Sequence, residues 1–199
     1  MPESDHPNLQ RVTVFTGSRP GNTPAYVTAV ETFAHALADQ NLGVVFGGGN
    51  VGLMGVLADT ALAAGTEVFG VMPESMLAAE IPHQQLTELE IVPDMHARKQ
   101  RMAQLGDAFV TLPGGIGTLE EFFEIWTWQQ LSLHTKPVAL FNVAGFWDPL
   151  LAMIKHTADE GFVRHSFTDA LIVEDDPFAL LQALKSWRPS GPRRHSSAS

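Results

Sequence analysis

An α/β fold, with one parallel sheet covered by helices on both faces, is what this sequence predicts, and three observations carry the prediction. Short β-branched apolar runs alternate along the chain with segments of helical periodicity. These runs are apolar at nearly every position, as strands buried on both faces must be. The chain's 199 residues, 45% of them hydrophobic, supply one well-buried core and are short for two ordinary domains.

The elements follow in order. Val12–Thr16 predicts the first strand, and Pro24–Asp39 carries Tyr26, Val30, Phe33 and Leu37 at helical spacing. Val44–Phe46 is a second apolar run, followed by a helix from Gly52 to Ala64. Glu67–Met72 and Leu86–Val92 predict the third and fourth strands, and Asp94 is placed to cap a helix over Met95–Leu105. Ala108–Leu112 is the fifth strand, with a helix from Leu119 to Leu131. Val138–Asn142 is the sixth, followed by a helix over Asp148–Glu160. Leu171–Val173 is a short edge element and Pro177–Trp187 a closing helix. Neither repeat nor linker interrupts this pattern, so residues 11–187 read as a single Rossmann-like domain. Residues 1–10 form a polar N-terminal extension, and the Pro/Ser/Gly-rich residues 188–199, with Arg188, Arg193 and Arg194, a disordered tail.

Composition excludes several functions. With no cysteine, neither disulfides nor a thiolate nucleophile or metal site can form. No apolar run approaches the ~20 residues that span a bilayer, and Met1–Gln10 is too polar for a signal peptide, so a cytoplasmic protein is expected. A formal net charge of −10 repels nucleic acid and anionic membranes, so an anionic ligand must be caught by local positive potential. Up to Ala97 the only basic residues are Arg11 and Arg19; Arg98, Lys99 and Arg101 then arrive together. His83, His96, His134, His156 and His165 lack the short spacing of metal ligands.

In such sheets ligands bind beyond the carboxyl ends of the strands, and the loops there are unusual. Gly17-Ser18-Arg19-Pro20-Gly21-Asn22 leads into the first helix and reads equally as a plain turn or a ligand loop. Gly47-Gly48-Gly49-Asn50-Val51-Gly52-Leu53-Met54-Gly55 lets backbone N–H groups approach an anion. Its Gly47, Gly49 and Gly52 match G-x-G-x-x-G, with Glu74 near the acidic position, but they follow the second strand instead of the first. Pro113-Gly114-Gly115-Ile116-Gly117-Thr118 joins a strand to a helix and forms a phosphate cradle by the same physics. Two readings of Glu121 stand side by side. Thr118-x-x-Glu121 forms a capping box, yet Glu120, Glu121 and Glu124 crowd one helix start, where like charges repel unless a cation is near or one carboxylate does chemistry. In the fourth segment, Met95, Arg98, Arg101 and Met102 share one helix face while Lys99 points elsewhere, either as a solvated basic stripe or as the scarce positive charge an anionic ligand needs.

Met95-x-x-Arg98-Lys99 followed by Pro113-Gly114-Gly115-x-Gly117-Thr118-x-x-Glu121 resembles the paired signature of the LONELY GUY (LOG) family of cytokinin riboside 5′-monophosphate phosphoribohydrolases. Ser18–Tyr26 and Gly47–Gly55 resemble further stretches of that family, and the similarity runs from about Arg11 to Trp187. The resemblance implies hydrolysis of an N6-modified AMP to free base and ribose 5-phosphate, with neither metal nor organic cofactor. It implies Arg98 and Glu121 as the essential pair. Ser18, Gly48, Gly49, Met95, Lys99, Gly114, Gly115, Ile116, Gly117 and Thr118 would line the phosphate and nucleotide, with Glu74 and Glu80 as candidates for ribose or base contacts. It further implies a homodimer, which would explain an aromatic surplus at Phe122, Phe123, Trp126 and Trp128.

Three other functions compete. A pyridoxal-phosphate lysine decarboxylase, a label often attached to this family, needs a Schiff-base lysine; Lys99, Lys136, Lys155 and Lys185 show no such context. A nucleotide or cofactor carrier needs the glycine loops but not the Arg98–Glu121 pair. A dinucleotide oxidoreductase lacks room for a substrate domain.

Overall fold

Apolar runs of four to six residues become strands here because each is buried on both sides, which only a sheet sandwiched between helices allows. The structure, a computed structural model, describes residues 9–78 and 81–189. Strands β1 (Arg11–Phe15), β2 (Gly43–Phe46), β3 (Val68–Pro73), β4 (Glu88–Val92), β5 (Ala108–Thr111), β6 (Val138–Phe141) and β7 (Ile172–Glu174) pair in the order β4-β3-β2-β1-β5-β6-β7. Every pairing is parallel, with Thr13 opposite both Val45 and Phe109. The connecting helices are α1 (Pro24–Asp39), α2 (Gly52–Ala63), α3 (Met95–Leu105), α4 (Ile116–Gln130), α5 (Asp148–Asp159), α6 (His165–Thr168) and α7 (Pro177–Ser186).

The pleat sorts the core into two layers. Val12, Val14, Val44 and Phe46 pack under α1, α2 and α7 around Phe33, Leu37, Leu57 and Leu180. Phe15, Val45, Phe109 and Leu140 face the opposite layer of α3, α4 and α5, with Met102, Phe122, Trp126 and Ile154. From β1 the chain winds toward β2 on one side and returns to β5 on the other, so the topological switch point lies between β1 and β5.

The predicted element order stands, and most boundaries differ by one or two residues. Helix α4 is the exception, beginning at Ile116 instead of Leu119. The small helix α6 and the 3₁₀ turns Glu74–Met76 and Val143–Gly145 were not anticipated, being too short to show a period. No helix among the described residues is long and apolar enough to cross a membrane. Glu80, most of the polar extension and all of the expected disordered tail beyond Pro189 lie outside the described residues.

Candidate active site

Three loops meet at Gly17, where the chain leaves β1. Its N–H donates to the Pro113 carbonyl at 3.1 Å, and its own carbonyl accepts from the Leu53 N–H at 3.0 Å. The Thr16 hydroxyl donates to the same Pro113 carbonyl at 3.1 Å. The turns after β1, β2 and β5 are thus tied together at the switch point. A cleft of about 560 Å³ opens there, lined by Ser18, Tyr26, Gly114, Gly115, Ile116 and Phe146 among others. That volume suits a nucleotide-sized ligand. A hollow of about 450 Å³ bordered by Arg11, Gly43 and Glu67 opens at the opposite, amino-terminal edge of the sheet, away from these loops.

The start of α4 corrects one expectation. Its N-cap is Gly115, with no side-chain cap, and the first intrahelical bond runs from the Leu119 N–H to the Gly115 carbonyl at 3.0 Å. Thr118 is therefore the third helical residue and not a cap, and Glu121 lies in the second turn. The capping box is absent because Gly115 already takes the cap position three residues earlier. The helix geometry leaves the N–H groups of Ile116, Gly117 and Thr118 without intrahelical partners, at the positive end of the helix dipole. Ile116 is 87% exposed, and a Cβ on Gly115 or Gly117 would meet nothing within 4 Å. Thr118 is buried, its hydroxyl filling the space a side chain on Gly114 would need.

Arg98 is placed by α3, whose start is fixed by Asp94 Oδ1 accepting from the Ala97 N–H at 2.8 Å. Arg98 is 5% exposed. Its Nε donates to the Val71 carbonyl at 3.1 Å and Nη2 to the Gly47 carbonyl at 3.0 Å. Nη1 points at the thioethers of Met76, 3.4 Å away, and Met95, 3.8 Å away. A planar, permanently charged group is thereby fastened across the carboxyl ends of β2 and β3. A side chain on Gly47 would overlap Nη2, so this glycine makes room for Arg98.

The neighbouring Lys99 points away from Arg98's partners on β2 and β3; it is 8% exposed and reaches α4. Its Nζ lies 2.6 Å from Glu120 Oε1 and 2.9 Å from Glu124 Oε2. Burial works against the ammonium charge, but the two carboxylates outweigh it and hold Lys99 above the ordinary lysine value. This is the cation that the crowded acids at 120–124 require. The solvated-stripe reading therefore fails for Arg98 and Lys99. Arg101 is more exposed and pairs with Glu90 at 2.7 Å.

The other predicted positions divide into two groups. Ser18, Gly114, Gly115 and Ile116 share the cleft. Gly48, Gly49 and Met95 lie by Arg98 and the end of β2. There Gly48 takes a φ of +82°, and the Gly48 and Asn50 backbones zip onto residues 81–83. His83 locks that zipper through Asp59, 2.9 Å away. Glu74 is exposed and opens the 3₁₀ turn whose Met76 touches Arg98. Sequence reasoning missed Tyr26 and Phe146 as cleft walls. They meet edge to face at 5.6 Å, and only the aromatic at the end of the Ala144-Gly145-Phe146 turn could have hinted at it. Among the described residues, no group of three or more His, Asp and Glu side chains is placed to hold a metal.

Similarity to known proteins fits this geometry. A family profile described as "Possible lysine decarboxylase" matches residues 54–184. A cytokinin riboside 5′-monophosphate phosphoribohydrolase of Rhodococcoides fascians is 48% identical over 181 residues, covering 90% of this chain and 91% of its own. An Arabidopsis thaliana protein of the same name is 41% identical over 187 residues, covering 94% of this chain and 88% of its own. The chain belongs to the LOG family of phosphoribohydrolases. Solved structures share its fold at lower identity. The molybdenum cofactor binding protein of Rippkaea orientalis has a TM-score of 0.66 at 18% identity, over 90% of this chain and 97% of that one. The molybdenum cofactor carrier protein of Chlamydomonas reinhardtii has a TM-score of 0.64 at 17% identity, over 88% and 96%. Within the LOG family chain described here, every lysine is engaged: Lys99 on two glutamates, Lys136 on the Ala103 and Gly106 carbonyls, Lys155 on Asp159 and Lys185 on Gln40.

Proposed function

We propose that the chain hydrolyses the N-glycosidic bond of a cytokinin riboside 5′-monophosphate, an N6-modified AMP, releasing free base and ribose 5-phosphate. The observation that carries this reading is the junction at the switch point. An uncapped helix start with open glycines lines the cleft, and a buried arginine is fastened at the ends of β2 and β3, in a chain 48% identical to a protein named for this reaction. The N–H groups at the start of α4 hold the 5′-phosphate, as helix N-termini do. Ser18 and the Gly17 turn close the cradle, and the aromatic edges of Tyr26 and Phe146 border it.

Departure of the purine builds positive charge on the ribose ring, in an oxocarbenium-like transition state. Glu121, in the second turn of α4, supplies the carboxylate that stabilises this charge and orients the attacking water. Arg98 contributes fixed positive potential for phosphate or ribose from the ends of β2 and β3. Glu74 is a candidate ribose contact through its place beside the Met76–Arg98 junction. The protein works as a cytoplasmic homodimer. Phe122 and Trp126 are spent in the core, stacking at 5.5 Å, which leaves Phe123 (41% exposed) and Leu133 (67% exposed) as apolar surface for a second copy.

Product analysis tests the reaction and the carrier alternative together. Chelator-treated protein should release base from N6-isopentenyladenosine 5′-monophosphate, and the matching nucleoside should be cleaved far more slowly. Equal rates on both would remove the phosphate cradle, and tight binding without base release would establish a carrier. Glu121→Gln should fold with a melting temperature close to that of the parent, since no cap is lost. It should lose about 10²–10³ in kcat, the usual cost of one preorganised electrostatic group.

A further inference from the structure

Lys99 stands in the motif expected to hold phosphate, yet its ammonium is spent elsewhere. Its side chain is 9% exposed, and Nζ lies 2.6 Å from Glu120 Oε1 and 2.9 Å from Glu124 Oε2. One positive charge set against two carboxylates leaves that corner net negative, which repels a phosphate dianion. Glu120 precedes Glu121 in the chain, and Glu124 is its i+3 neighbour on the helix surface. Three carboxylates within five residues of one helix destabilise its first turns unless a cation answers them. Of the basic residues on α3, Arg98 is committed to the Val71 and Gly47 carbonyls and Arg101 to Glu90.

We propose that Lys99 is a positioning residue: it neutralises the carboxylates flanking Glu121, whose mutual repulsion would otherwise displace the start of α4, so that Glu121 and Arg98 keep their relative placement. The inference rests on the catalytic reading of Glu121 given above. It moves Lys99 from the phosphate to the scaffold of the reacting groups. The binding cost of losing Lys99 should then be small, and the cost in turnover large.

The test measures kcat and KM on N6-isopentenyladenosine 5′-monophosphate for the parent, Lys99→Met, Glu121→Gln and the triple variant Lys99→Met/Glu120→Gln/Glu124→Gln. Lys99→Met should lose about 10²-fold in kcat through misplacement of the reacting groups. Its KM should move by less than about threefold, because no ground-state contact to substrate is removed. The triple variant has nothing left to neutralise and should recover kcat to within about tenfold of the parent. A tenfold or larger rise in KM with kcat preserved would make Lys99 a phosphate ligand and overturn the proposal, as would parent-like kinetics of Lys99→Met. If Lys99→Met does not fold, the triple variant decides alone: recovered turnover supports the neutralising role, and a folded triple variant without turnover overturns it. Glu121→Gln keeps the two readings apart. Its retaining activity would remove the catalytic assignment, whereas a dead Glu121→Gln beside a fully active Lys99→Met would remove only the positioning role of Lys99.

Discussion

At Gly47 a methyl group would overlap the Arg98 guanidinium, and at Gly52 it would overlap the Ser18–Arg19 backbone; at Gly115 and Gly117 it would meet nothing within 4 Å. Both stretches are glycine-rich turns from a strand into an uncapped helix, and in sequence they look alike. Their physics differs. The loop after β2 needs glycine to let other protein groups pass close by, and Gly52 also adopts a φ of +55°. The loop after β5 spends Gly115 and Gly117 on openness, leaving helix N–H groups uncovered at the mouth of the cleft, while its Gly114 makes room for Thr118. A glycine-rich signature thus marks two functions: one loop builds the floor under Arg98, and the other keeps the phosphate door unobstructed.

The largest expected effect breaks the first half of this contrast. In Gly47→Ala the new methyl displaces the end of a flexible side chain, not backbone, so the fold should survive with a modest drop in melting temperature. Arg98, however, must leave the Gly47 carbonyl. Misplacing a preorganised charge by about 1 Å costs on the order of 10²-fold in rate. Gly47→Ala should therefore resemble Arg98→Ala in steady-state kinetics while melting close to the parent. Parent-like turnover would mean that Arg98 acts without its seat at the ends of β2 and β3.

The order of elements was legible because β-branched runs and 3.6-residue periods are local signals, and α1 begins and ends where its periodicity does. The N-cap at Asp94 was equally legible, since one side chain decides it. The start of α4 was not. Thr118-x-x-Glu121 is a genuine capping pattern, but a bare glycine cap three residues earlier satisfies the helix without it. Arg98 and Glu121 could be singled out by motif, whereas the burial of Lys99 could not. A lysine reaching across 21 residues to Glu120 is a tertiary fact; periodicity on α3 turns it away from Arg98 but does not give its partner or its burial. The aromatic surplus at 122–128 resolved in part into core stacking, Trp126 also lying 5.0 Å from Phe167 of the unpredicted helix α6. Tyr26 read as a core position of α1, and its role as a cleft wall depends on the meeting with Phe146, 120 residues away.

The smallest expected effect sharpens the second half of the contrast. Gly115 has φ −98° and ψ −155°, extended backbone that alanine adopts without strain, and Gly117 is already helical. Gly117→Ala should stabilise the protein by up to about 1 kcal/mol, because alanine loses less backbone freedom in a helix. Gly115→Ala should change stability by less than about 0.5 kcal/mol, as surface substitutions usually do. Each adds one methyl at the rim of the phosphate cradle, so each should raise KM for the monophosphate several-fold while leaving kcat nearly unchanged, the mark of weakened uniform binding. For the corresponding nucleoside, which presents no phosphate to the helix start, KM should not move. Thermal melts alongside the two KM values make the check. A stabilised Gly117→Ala with unaltered KM for the monophosphate would show that the phosphate does not rest on the first turn of α4, leaving the Gly17 and Gly48 turns to hold it.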